Sequence, residues 1–398
     1  MSTAKNAVLQ SMVRLLHERQ PQLLAANVQD LNAYQGGERA MYDRLVIDDK
    51  KVAGMIRSVE TVLAKPDPVG SERYRFEHPE GMLIENRTAP FGTILIIYES
   101  RPDVTIEAAV LAFKAGNKIL LKGGKEAHHS NRALVALWHA ALLENDFGTD
   151  WIQYLPFNRS ETQAFLKNPD RPVDLIVPRG GERLIQFVKQ EAQAPVLVSG
   201  RGNNFLYVHH AADWSKVLPI ILNAKTHKIS ACNALDKILI DAQLPHLNER
   251  LEQLVDALRQ AKVAVWTDRR TAEHLGSATV SIIEDEAIWY EEFLSMKVVI
   301  GLVEEVEAAI VKINRYSGGH SVSILTEDAE RARDFMFRID AAAVFHNAST
   351  RFTDGGEFGL GAELAISTDK LHHRGPLGLE HLVSNKWLVY GDGQIRTS

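Results

Sequence analysis

The sequence predicts an α/β protein in which a doubly wound parallel sheet is followed by a second α/β domain. Several strand-like apolar runs each precede a turn and then a helical pattern. A strand, a crossover helix and a parallel strand make up the repeating unit of such a sheet. The length of 398 residues exceeds one typical core and favours two domains.

The predicted sheet begins at residues 93–98, where a continuous β-branched run is typical of a strand buried on both faces. Helical spacing of apolar residues predicts helices over 4–35 and about 40–64, followed by a loop at 65–70 and an extended arm at 82–92. Further strands are predicted at 118–122 and 175–178, with helices at 104–115, 126–142 and 182–190.

The second predicted unit follows a helix over 213–226 that leads to the single cysteine, Cys232. Its strands are predicted at 237–240, 263–266 and 297–303, with a helix over 244–261. The final part of the chain is rich in glycine and turns and ends in a strand-like run at 386–390.

Composition and charge narrow the class of protein. Hydrophobic residues make up 45% and charged residues 24%, which is ordinary for a globular enzyme. With a formal net charge of -6, the chain lacks the excess of basic residues that is typical of nucleic-acid-binding proteins. No apolar run suits a signal peptide or a membrane span. One cysteine in the chain indicates a reducing compartment. We therefore expect a cytoplasmic protein with no nucleic-acid or membrane partner.

Two glycine turns at predicted strand ends are candidates for nucleotide binding. Glycine lets backbone N–H groups approach a phosphate at a helix N-terminus, and basic side chains add charge. The alternative is a pair of ordinary turns with solvated cations, because the first string lacks the full G-x-G-x-x-G pattern. The candidate residues are Lys122, Gly123, Gly124, Arg179, Gly180 and Gly181.

Cys232 is either an inert buried thiol or a nucleophile. A nucleophilic thiol needs a nearby cation or a helix N-terminus that stabilises the thiolate. Lys225, His227 and Lys228 lie close in sequence, and Ser230 is a candidate N-cap for a short turn at the cysteine. Most single cysteines are buried and inert, and these polar neighbours weaken that interpretation without removing it.

Two later loops are further candidates for ligand contacts. In residues 316–321 two glycines precede His320, which suits an imidazole placed at a ligand, and the alternative is a hairpin tip. Residues 348–363 are too polar and glycine-rich for a core and too long for a simple turn, which is typical of a functional loop.

Three pairs of adjacent histidines raise the question of a metal site, at 128–129, 209–210 and 372–373. Adjacent residues on a strand or a helix point to different faces, and no Cys/His spacing supports zinc. We therefore predict no metal.

Several long strings resemble the gamma-glutamyl phosphate reductase (glutamate-5-semialdehyde dehydrogenase) family of the aldehyde dehydrogenase superfamily. They are residues 98–105, 121–124, 223–234, 348–361 and 391–396. The resemblance covers nearly the whole chain and implies an aldehyde dehydrogenase-like fold with a cofactor domain, a catalytic domain and a small oligomerisation element.

The resemblance also implies a domain division and partners. We expect a homo-oligomer and, because the acyl phosphate substrate is unstable, a transient contact with glutamate 5-kinase. The expected parts are a dinucleotide-binding domain at 1–80 and 93–208, a catalytic domain with Cys232 at 209–345, an active-site loop region at 346–370, and an oligomerisation arm and tail at 81–92 and 371–398.

The family reaction is the NADPH-dependent reduction of L-glutamyl 5-phosphate to L-glutamate 5-semialdehyde in proline synthesis. By resemblance, Cys232 forms a thioacyl intermediate and expels phosphate, and Asp103 stands where a superfamily asparagine helps to form the oxyanion hole. Glu292 matches the glutamate that holds the nicotinamide ribose, and Lys122 matches the lysine near the adenosine ribose and its 2′-phosphate. The expected substrate-binding residues are Arg101, Asn233, His320, Arg351, Phe358 and Gly359.

One absence favours reduction over oxidation. Oxidising, hydrolytic members of the superfamily carry a glutamate base in a Glu-Leu-Gly-Gly string, and the matching stretch at 198–203 has no glutamate. Without that base, a water is poorly activated to hydrolyse the thioester.

The chain also departs from the usual family pattern. The family usually has Gly-Asn-Cys-His at 202–205, Gln-Arg-Pro at 227–229, a glutamate at Asp236 and an acidic residue at Val322. We hypothesise that Val322 removes a contact to the substrate's ammonium group, so an N-acylated glutamyl phosphate or another related acyl phosphate is an alternative substrate. A non-catalytic nucleotide-binding paralogue is the alternative from another class, and the intact thiol motif argues against it.

Overall fold

The computed structural model describes residues 2–36, 39–198, 200–276 and 280–396. Ser199, which belongs to the stretch at 198–203, lies outside the described residues. The chain divides into two compact units, of which the first comprises residues 1–199, 359–365 and 376–398 and the second comprises 200–358 and 366–375.

Strands and helices alternate along most of the chain. The strands are β1 Glu72–Glu77, β2 Leu83–Pro90, β3 Thr93–Tyr98, β4 Lys118–Lys122, β5 Ile152–Tyr154, β6 Leu175–Arg179, β7 Asn204–Val208, β8 Leu235–Asp241, β9 Ala264–Thr267, β10 Ser281–Ile282, β11 Lys297–Val303, β12 Ser321–Leu325, β13 Ala343–His346, β14 Ile366–Ser367, β15 Gly375–Pro376 and β16 Val383–Tyr390. The helices are α1 Ser2–Glu18, α2 Gln20–Ala33, α3 Arg39–Leu45, α4 Asp49–Ala64, α5 Val104–Lys114, α6 His128–Leu143, α7 Arg159–Lys167, α8 Glu182–Glu191, α9 Trp214–Thr226, α10 Leu247–Gln260, α11 Arg269–Ala272, α12 Val306–Tyr316 and α13 Ala329–Arg338. In the described part of the chain, no helix combines the length and apolar character needed to cross a membrane.

The first unit is built on a parallel sheet of order β5-β4-β3-β6. On one face of the central strand β3, Ile94 and Ile96 pack in an apolar cluster with residues of α1, α4, α5 and α6. On the other face, Leu95 and Ile97 pack against α7 and α8. Helices on both faces confirm the predicted doubly wound fold and explain why β3 is apolar throughout.

The strand order places a switch point between β3 and β6. From β3 the chain continues to β4 and β5 on one side, and β6 then lies on the other side of β3. Because these strands are parallel, the segments that follow β3, β4 and β6 leave the sheet at the same edge. Ligands of open α/β sheets bind at this carboxyl edge, beside the switch point.

A separate antiparallel sheet joins the predicted arm and tail, with β2 between β1 and β16. β16 runs against β2 in continuous register from Val383 to Tyr390. Trp387, Val389 and Tyr390 on this sheet are each more than half exposed. The oligomerisation role of this sheet stays a prediction.

The second unit is built on a seven-stranded parallel sheet of order β10-β9-β11-β8-β7-β12-β13. Leu206 and Ile238 lie in the apolar cluster on one face, and Phe205 and Leu239 lie in the cluster on the other. The sequence-based boundary at residue 208 placed β7 in the first domain, whereas β7 pairs with β8 and β12. Backbone pairing decides which sheet a strand joins, and the apolar pattern of one strand does not reveal its neighbours.

We expect Asn117→Ala to lower the free energy of unfolding by about 2–4 kcal/mol, because two polar groups lose their partner. Asn117 is fully buried, accepts from the Gly92 N–H at 3.0 Å and donates to the Leu382 carbonyl at 2.8 Å. Urea-induced unfolding measures the loss. The control is Asn385→Ala, at an exposed position of β16, which is expected to change stability by less than about 0.5 kcal/mol. Similar values for the two variants would contradict the role given to Asn117.

Candidate active site

The ends of three neighbouring strands bring the predicted cofactor residues to one edge of the first sheet. β4 ends at Lys122 before one Gly-Gly turn, and β6 ends at Arg179 before the other. The register pairs Lys122 with Ile97 and Arg179 with Tyr98, so the two turns flank the end of β3. Arg179 Nη1 lies 3.4 Å from Glu107 Oε2, and this ion pair orients the guanidinium group.

The turn at 180–181 opens helix α8 and faces the carboxylate of Glu99. The Gly181 N–H donates to Glu99 Oε2 at 3.0 Å, and a Cβ at Gly180 would lie 2.5 Å from the same oxygen and 2.8 Å from Leu184. An acidic acceptor therefore occupies the helix N-terminus, where N–H groups and the helix dipole favour a phosphate. Because Glu99 is exposed, its side chain can rotate and leave this N–H to another anion.

The turn at 123–124 follows a half-buried lysine. A Cβ at Gly123 would clash with the Asn131 side chain, so packing requires glycine here. Lys122 Nζ donates to the Gly123 carbonyl at 3.1 Å. Burial lowers the pKa of Lys122, and the charges of Glu126 and Glu99 oppose that shift. The turn thus presents a cation that is only partly shielded from water.

Asp103 immediately precedes helix α5 and is buried. Its Oδ2 lies 3.4 Å from the Arg101 guanidinium, and its Oδ1 has no hydrogen-bond partner among the described residues. An ionised carboxylate accepts hydrogen bonds but cannot donate them, whereas an asparagine amide donates. A role of Asp103 in an oxyanion hole therefore requires its protonated form and stays a prediction.

In the second unit, Cys232 lies in a turn between α9 and β8, and its side chain is exposed. The buried side chain of Asn204, at the start of β7, fixes this turn. Its Nδ2 donates to the carbonyl oxygens of Cys232 and Ala234, both at 2.7 Å, and its Oδ1 accepts from the Ser321 N–H at 3.0 Å. The exposure of the thiol argues against the inert, buried alternative. Ser230 lies with Cys232 in a run of turns and bends at 229–234, and its role as the cap of this turn stays a prediction.

Gly202 packs directly against the thiol turn and binds Glu292. A Cβ at Gly202 would clash with the carbonyl oxygen of Cys232, and the Gly202 N–H donates to Glu292 Oε1 at 3.0 Å. The structure therefore brings Glu292, a predicted cofactor contact, beside the thiol turn.

Two residues whose roles the sequence analysis missed fix the surroundings of Glu292. Asn203, with a φ of 39°, donates to the carbonyl oxygens of Trp289 and Tyr316 at 2.8 and 2.7 Å. Lys237 Nζ donates to Asn203 Oδ1 at 2.8 Å and to the Glu291 carbonyl at 2.6 Å. Burial lowers the pKa of Lys237 to about 7. In the sequence, the signal for a special role of Lys237 was its position at the start of the otherwise apolar run 237–240.

Asn233 and His320 each keep one buried polar atom without a partner within the described ranges. Asn233 Nδ2 donates to the carbonyl oxygens of Arg351 and Thr353 at 3.2 and 2.9 Å, whereas its Oδ1 has no partner there. His320 Nδ1 lies 2.7 Å from Ser321 Oγ, whereas its Nε2 has none. Buried polar atoms are normally paired, so these two mark places for polar groups of a ligand or for water.

Arg351 supplies the positive charge near the thiol. Burial lowers the pKa of Arg351, and the negative charge of a Cys232 thiolate raises it, which reflects their proximity. The Arg351 Nε also donates to His227 Nδ1 at 3.4 Å. Lys225, a cation expected beside the thiol, is instead buried and donates to the Asp236 carboxylate at 3.2 Å. A guanidinium near a thiol stabilises the thiolate.

Phe358, Gly359 and Arg101 are the remaining predicted substrate residues. Phe358 is 43% exposed, and its ring centroid lies 6.3 Å from that of Phe345. Gly359 has a φ of +73° and groups with the first unit, as does Arg101. The second unit thus brings together Cys232, Asn233, Glu292, His320 and Arg351.

Two interpretations of the sequence are wrong. Residues 316–321 are not a hairpin tip, because they join α12 to β12, which lies parallel to β7 and β13. Val322 does not face a substrate, because its side chain is fully buried in an apolar cluster with Phe205. Side chains alternate along a strand, so Ser321 rather than Val322 points towards His320 and Thr353.

We expect His320 to make the protein less stable in mild acid. Complete burial lowers the pKa of His320 to about 4, so the folded state resists a proton that the unfolded chain binds near pH 6.5. Stability is therefore fully present above pH 6.5 and falls by about 3 kcal/mol towards pH 4. Urea unfolding of wild type and His320→Gln between these pH values measures the difference, which is expected to shrink in acid. A pH-independent difference would contradict this assignment.

Comparison with known proteins places the chain in a family. A model of the aldehyde dehydrogenase family matches residues 2–281. The gamma-glutamyl phosphate reductases of Symbiobacterium thermophilum and Erythrobacter litoralis are 42% and 40% identical, over 98% and 99% of this chain and 94% and 92% of their own. The crystal structure of the gamma-glutamyl phosphate reductase from Thermotoga maritima matches with a TM-score of 0.95 and 39% identity, over 100% of this chain and 95% of that one. The chain therefore belongs to the aldehyde dehydrogenase family of oxidoreductases and, within it, to the gamma-glutamyl phosphate reductases.

Proposed function

We propose that this chain reduces L-glutamyl 5-phosphate to L-glutamate 5-semialdehyde and phosphate with NADPH, in the second step of proline biosynthesis. The observation that carries the proposal is the exposed thiol of Cys232, in a turn fixed by Asn204 and close to the charge of Arg351. The names of the relatives at 40% and 42% identity support the substrate class.

Cys232 is the nucleophile of the first step. Its thiolate attacks the 5-carbonyl carbon of the acyl phosphate, so that a C–S bond forms. The C–O bond to phosphate breaks, and phosphate leaves with the electron pair. Arg351 places positive charge near Cys232, which favours the thiolate over the thiol before the attack.

The thioester is then reduced rather than hydrolysed. The hydride that the thioester carbon needs would come from NADPH, which residues of the first unit would hold. Cys232 leaves this carbon as a thiolate, which releases the aldehyde and restores the enzyme. No glutamate in the stretch at 198–203 is present to activate a water, so we expect hydrolysis of the thioester to be slow.

The two unpartnered atoms near the thiol turn suit the polar end of the substrate. Asn233 Oδ1 is an acceptor for the α-ammonium group. Because burial keeps His320 neutral, an Nδ1 that accepts from the Ser321 hydroxyl leaves an N–H at Nε2 for the α-carboxylate. Val322 lies in the core and gives no support to an N-acylated substrate, so we favour the free amine.

The first unit supplies residues that fit the phosphates of NADPH. The 180–181 turn offers N–H groups at the start of α8 once Glu99 moves aside, and the 123–124 turn lies between two lysines. Lys122 is half-buried and Lys125 is exposed, and together they offer two charges for a 2′-phosphate. This pair of lysines favours NADPH over NADH. A contact of Glu292 with the nicotinamide ribose also belongs to this proposal.

The cellular context is proposed on the same basis. A second copy of the chain would cover the exposed Trp387, Val389 and Tyr390, which favours a homo-oligomer. Acyl phosphates are short-lived in water, so a transient contact with glutamate 5-kinase would protect the substrate. The biosynthetic role and the single cysteine favour the cytoplasm.

The first test runs the reaction backwards from the stable aldehyde. We expect wild type to reduce NADP with glutamate 5-semialdehyde only when phosphate is present, because phosphate releases the acyl group from the thioester. We expect Cys232→Ala to lower kcat/KM by at least about 1,000-fold. Absorbance at the NADPH maximum measures both rates.

Ser230→Ala is the matched control, because Ser230 is exposed in the same turn. It is expected to retain the wild-type rate within about threefold, since typical surface substitutions change little. A phosphate-independent rate, or an unchanged rate in Cys232→Ala, would contradict the thioacyl mechanism.

A second test concerns cofactor choice. We expect Lys122→Ala and Lys125→Ala each to raise KM for NADPH by about tenfold and to leave KM for NADH nearly unchanged, because only NADPH carries the 2′-phosphate. Lys118→Ala is the control, since this exposed lysine at the other end of β4 pairs with Asp150. Equal effects on both cofactors would contradict a role in 2′-phosphate binding.

A further inference from the structure

The histidine pair at 209–210 lies at the carboxyl edge of the second sheet, away from the thiol. His209 and His210 directly follow β7, and Asp241 is the last residue of the neighbouring strand β8. Cys232 precedes β8, so the length of this strand, roughly 20 Å, separates it from Asp241. The proposed reduction uses none of the three residues at this edge.

The two imidazoles lie on the same side of the chain, contrary to the sequence-based argument. Adjacent residues point to opposite faces only while the strand remains extended. His209 and His210 lie beyond the end of β7, and their ring centroids are 3.9 Å apart with an interplanar angle of 39°. Because the chain turns after β7, the two adjacent side chains do not point to opposite faces, and both can bind the same ion.

Buried hydrogen bonds fix the orientation of the carboxylate between these strands. Asp241 is 1% exposed, its Oδ2 accepts from the Tyr207 hydroxyl at 2.9 Å, and its Oδ1 accepts from the Gln243 N–H at 2.9 Å. The His210 Nδ1 lies 3.0 Å from Asp241 Oδ2. Supporting bonds of this kind orient the ligands of metal sites in proteins.

The second imidazole is held from the other neighbouring strand. His209 is 3% exposed, and its Nδ1 lies 2.9 Å from the hydroxyl of Thr326, which directly follows β12. The Ala211 N–H also donates to this Nδ1, at the long distance of 3.4 Å, so a metal ion at Nε2 requires the tautomer in which Nδ1 instead donates to the Thr326 hydroxyl. The ends of β7, β8 and β12 therefore contribute to one cluster, at the edge where parallel sheets bind ligands.

We propose that His209, His210 and Asp241 bind one divalent transition-metal ion, with Zn²⁺ as the probe. Within the described part of the chain, one ligand atom from each residue lies within 4.8 Å of the others. Tetrahedral Zn²⁺ with bonds of about 2.0–2.1 Å needs ligand atoms about 3.4 Å apart. His210 is half-exposed, so its ring can rotate inward without disturbing the core.

The ligand set also indicates which ions bind. Imidazole nitrogens prefer Zn²⁺, Ni²⁺, Co²⁺ and Cu²⁺, whereas Mg²⁺ and Ca²⁺ prefer sets made of oxygen atoms. A bound ion would join the end of β7 to the end of β8, and it would stabilise the folded state because the unfolded chain lacks the site. Three protein ligands leave the fourth tetrahedral position to a water molecule.

The test measures Zn²⁺ binding to the full chain in a Cys232→Ala background, which removes the competing thiol. We expect isothermal titration calorimetry of the chelator-treated protein to show one equivalent of Zn²⁺. His210→Ala is expected to weaken binding by tenfold or more. His129→Ala is the control, because His129 is exposed and belongs to another adjacent pair, with ring centroids 5.5 Å apart.

X-ray absorption of the Zn²⁺ complex is the second measurement, since it does not depend on the folding of a variant. We expect two imidazoles in the first shell at about 2.0–2.1 Å. No binding in excess Zn²⁺, equal binding by His210→Ala and its parent, or a first shell without imidazole would each overturn the proposal.

Discussion

Two consecutive asparagine side chains hold together the chain segments that form the thiol site. Asn204 bonds to the carbonyl oxygens on either side of Asn233 and to the N–H at the start of β12. Asn203 bonds to the carbonyl oxygens of Trp289 and Tyr316. The thiol turn, the Glu292 segment and the loop before His320 therefore depend on one short segment of backbone. Both amides are buried, so the loss of either would leave unpaired polar groups that cost stability.

Three buried charged side chains, those of Lys225, Asp236 and Lys237, lie close to these asparagines. Lys237 is fully buried and bonds to Asn203, and its ammonium lies 3.8 Å from the ring centroid of Phe293. Burial lowers its pKa to about 7. Lys225 and Asp236 form an ion pair beside it at 3.2 Å. Such buried polar groups cost desolvation energy, and they fix one arrangement of the loops because each has specific partners.

The sequence predicted the fold class and most strands of both sheets, because buried parallel strands are continuous apolar runs followed by turns. It also predicted Cys232 and Arg351 as residues of one site, through the family resemblance. It could not assign β7 to its sheet, since pairing is a long-range property. It placed Val322 towards the substrate, although the phase of the alternation along β12 directs that side chain into the core.

By itself the sequence determined the chemical groups and the order in which the strands follow one another. The thiol, the glycine turns with their cations and the absence of a glutamate at 198–203 can all be read without coordinates. The tertiary structure decided which of these groups meet. It placed Arg351 rather than Lys225 near the thiol and brought His209, His210 and Asp241 together across two strands. The physical reason is that these contacts join residues far apart in the chain, and only strand pairing and packing fix such distances.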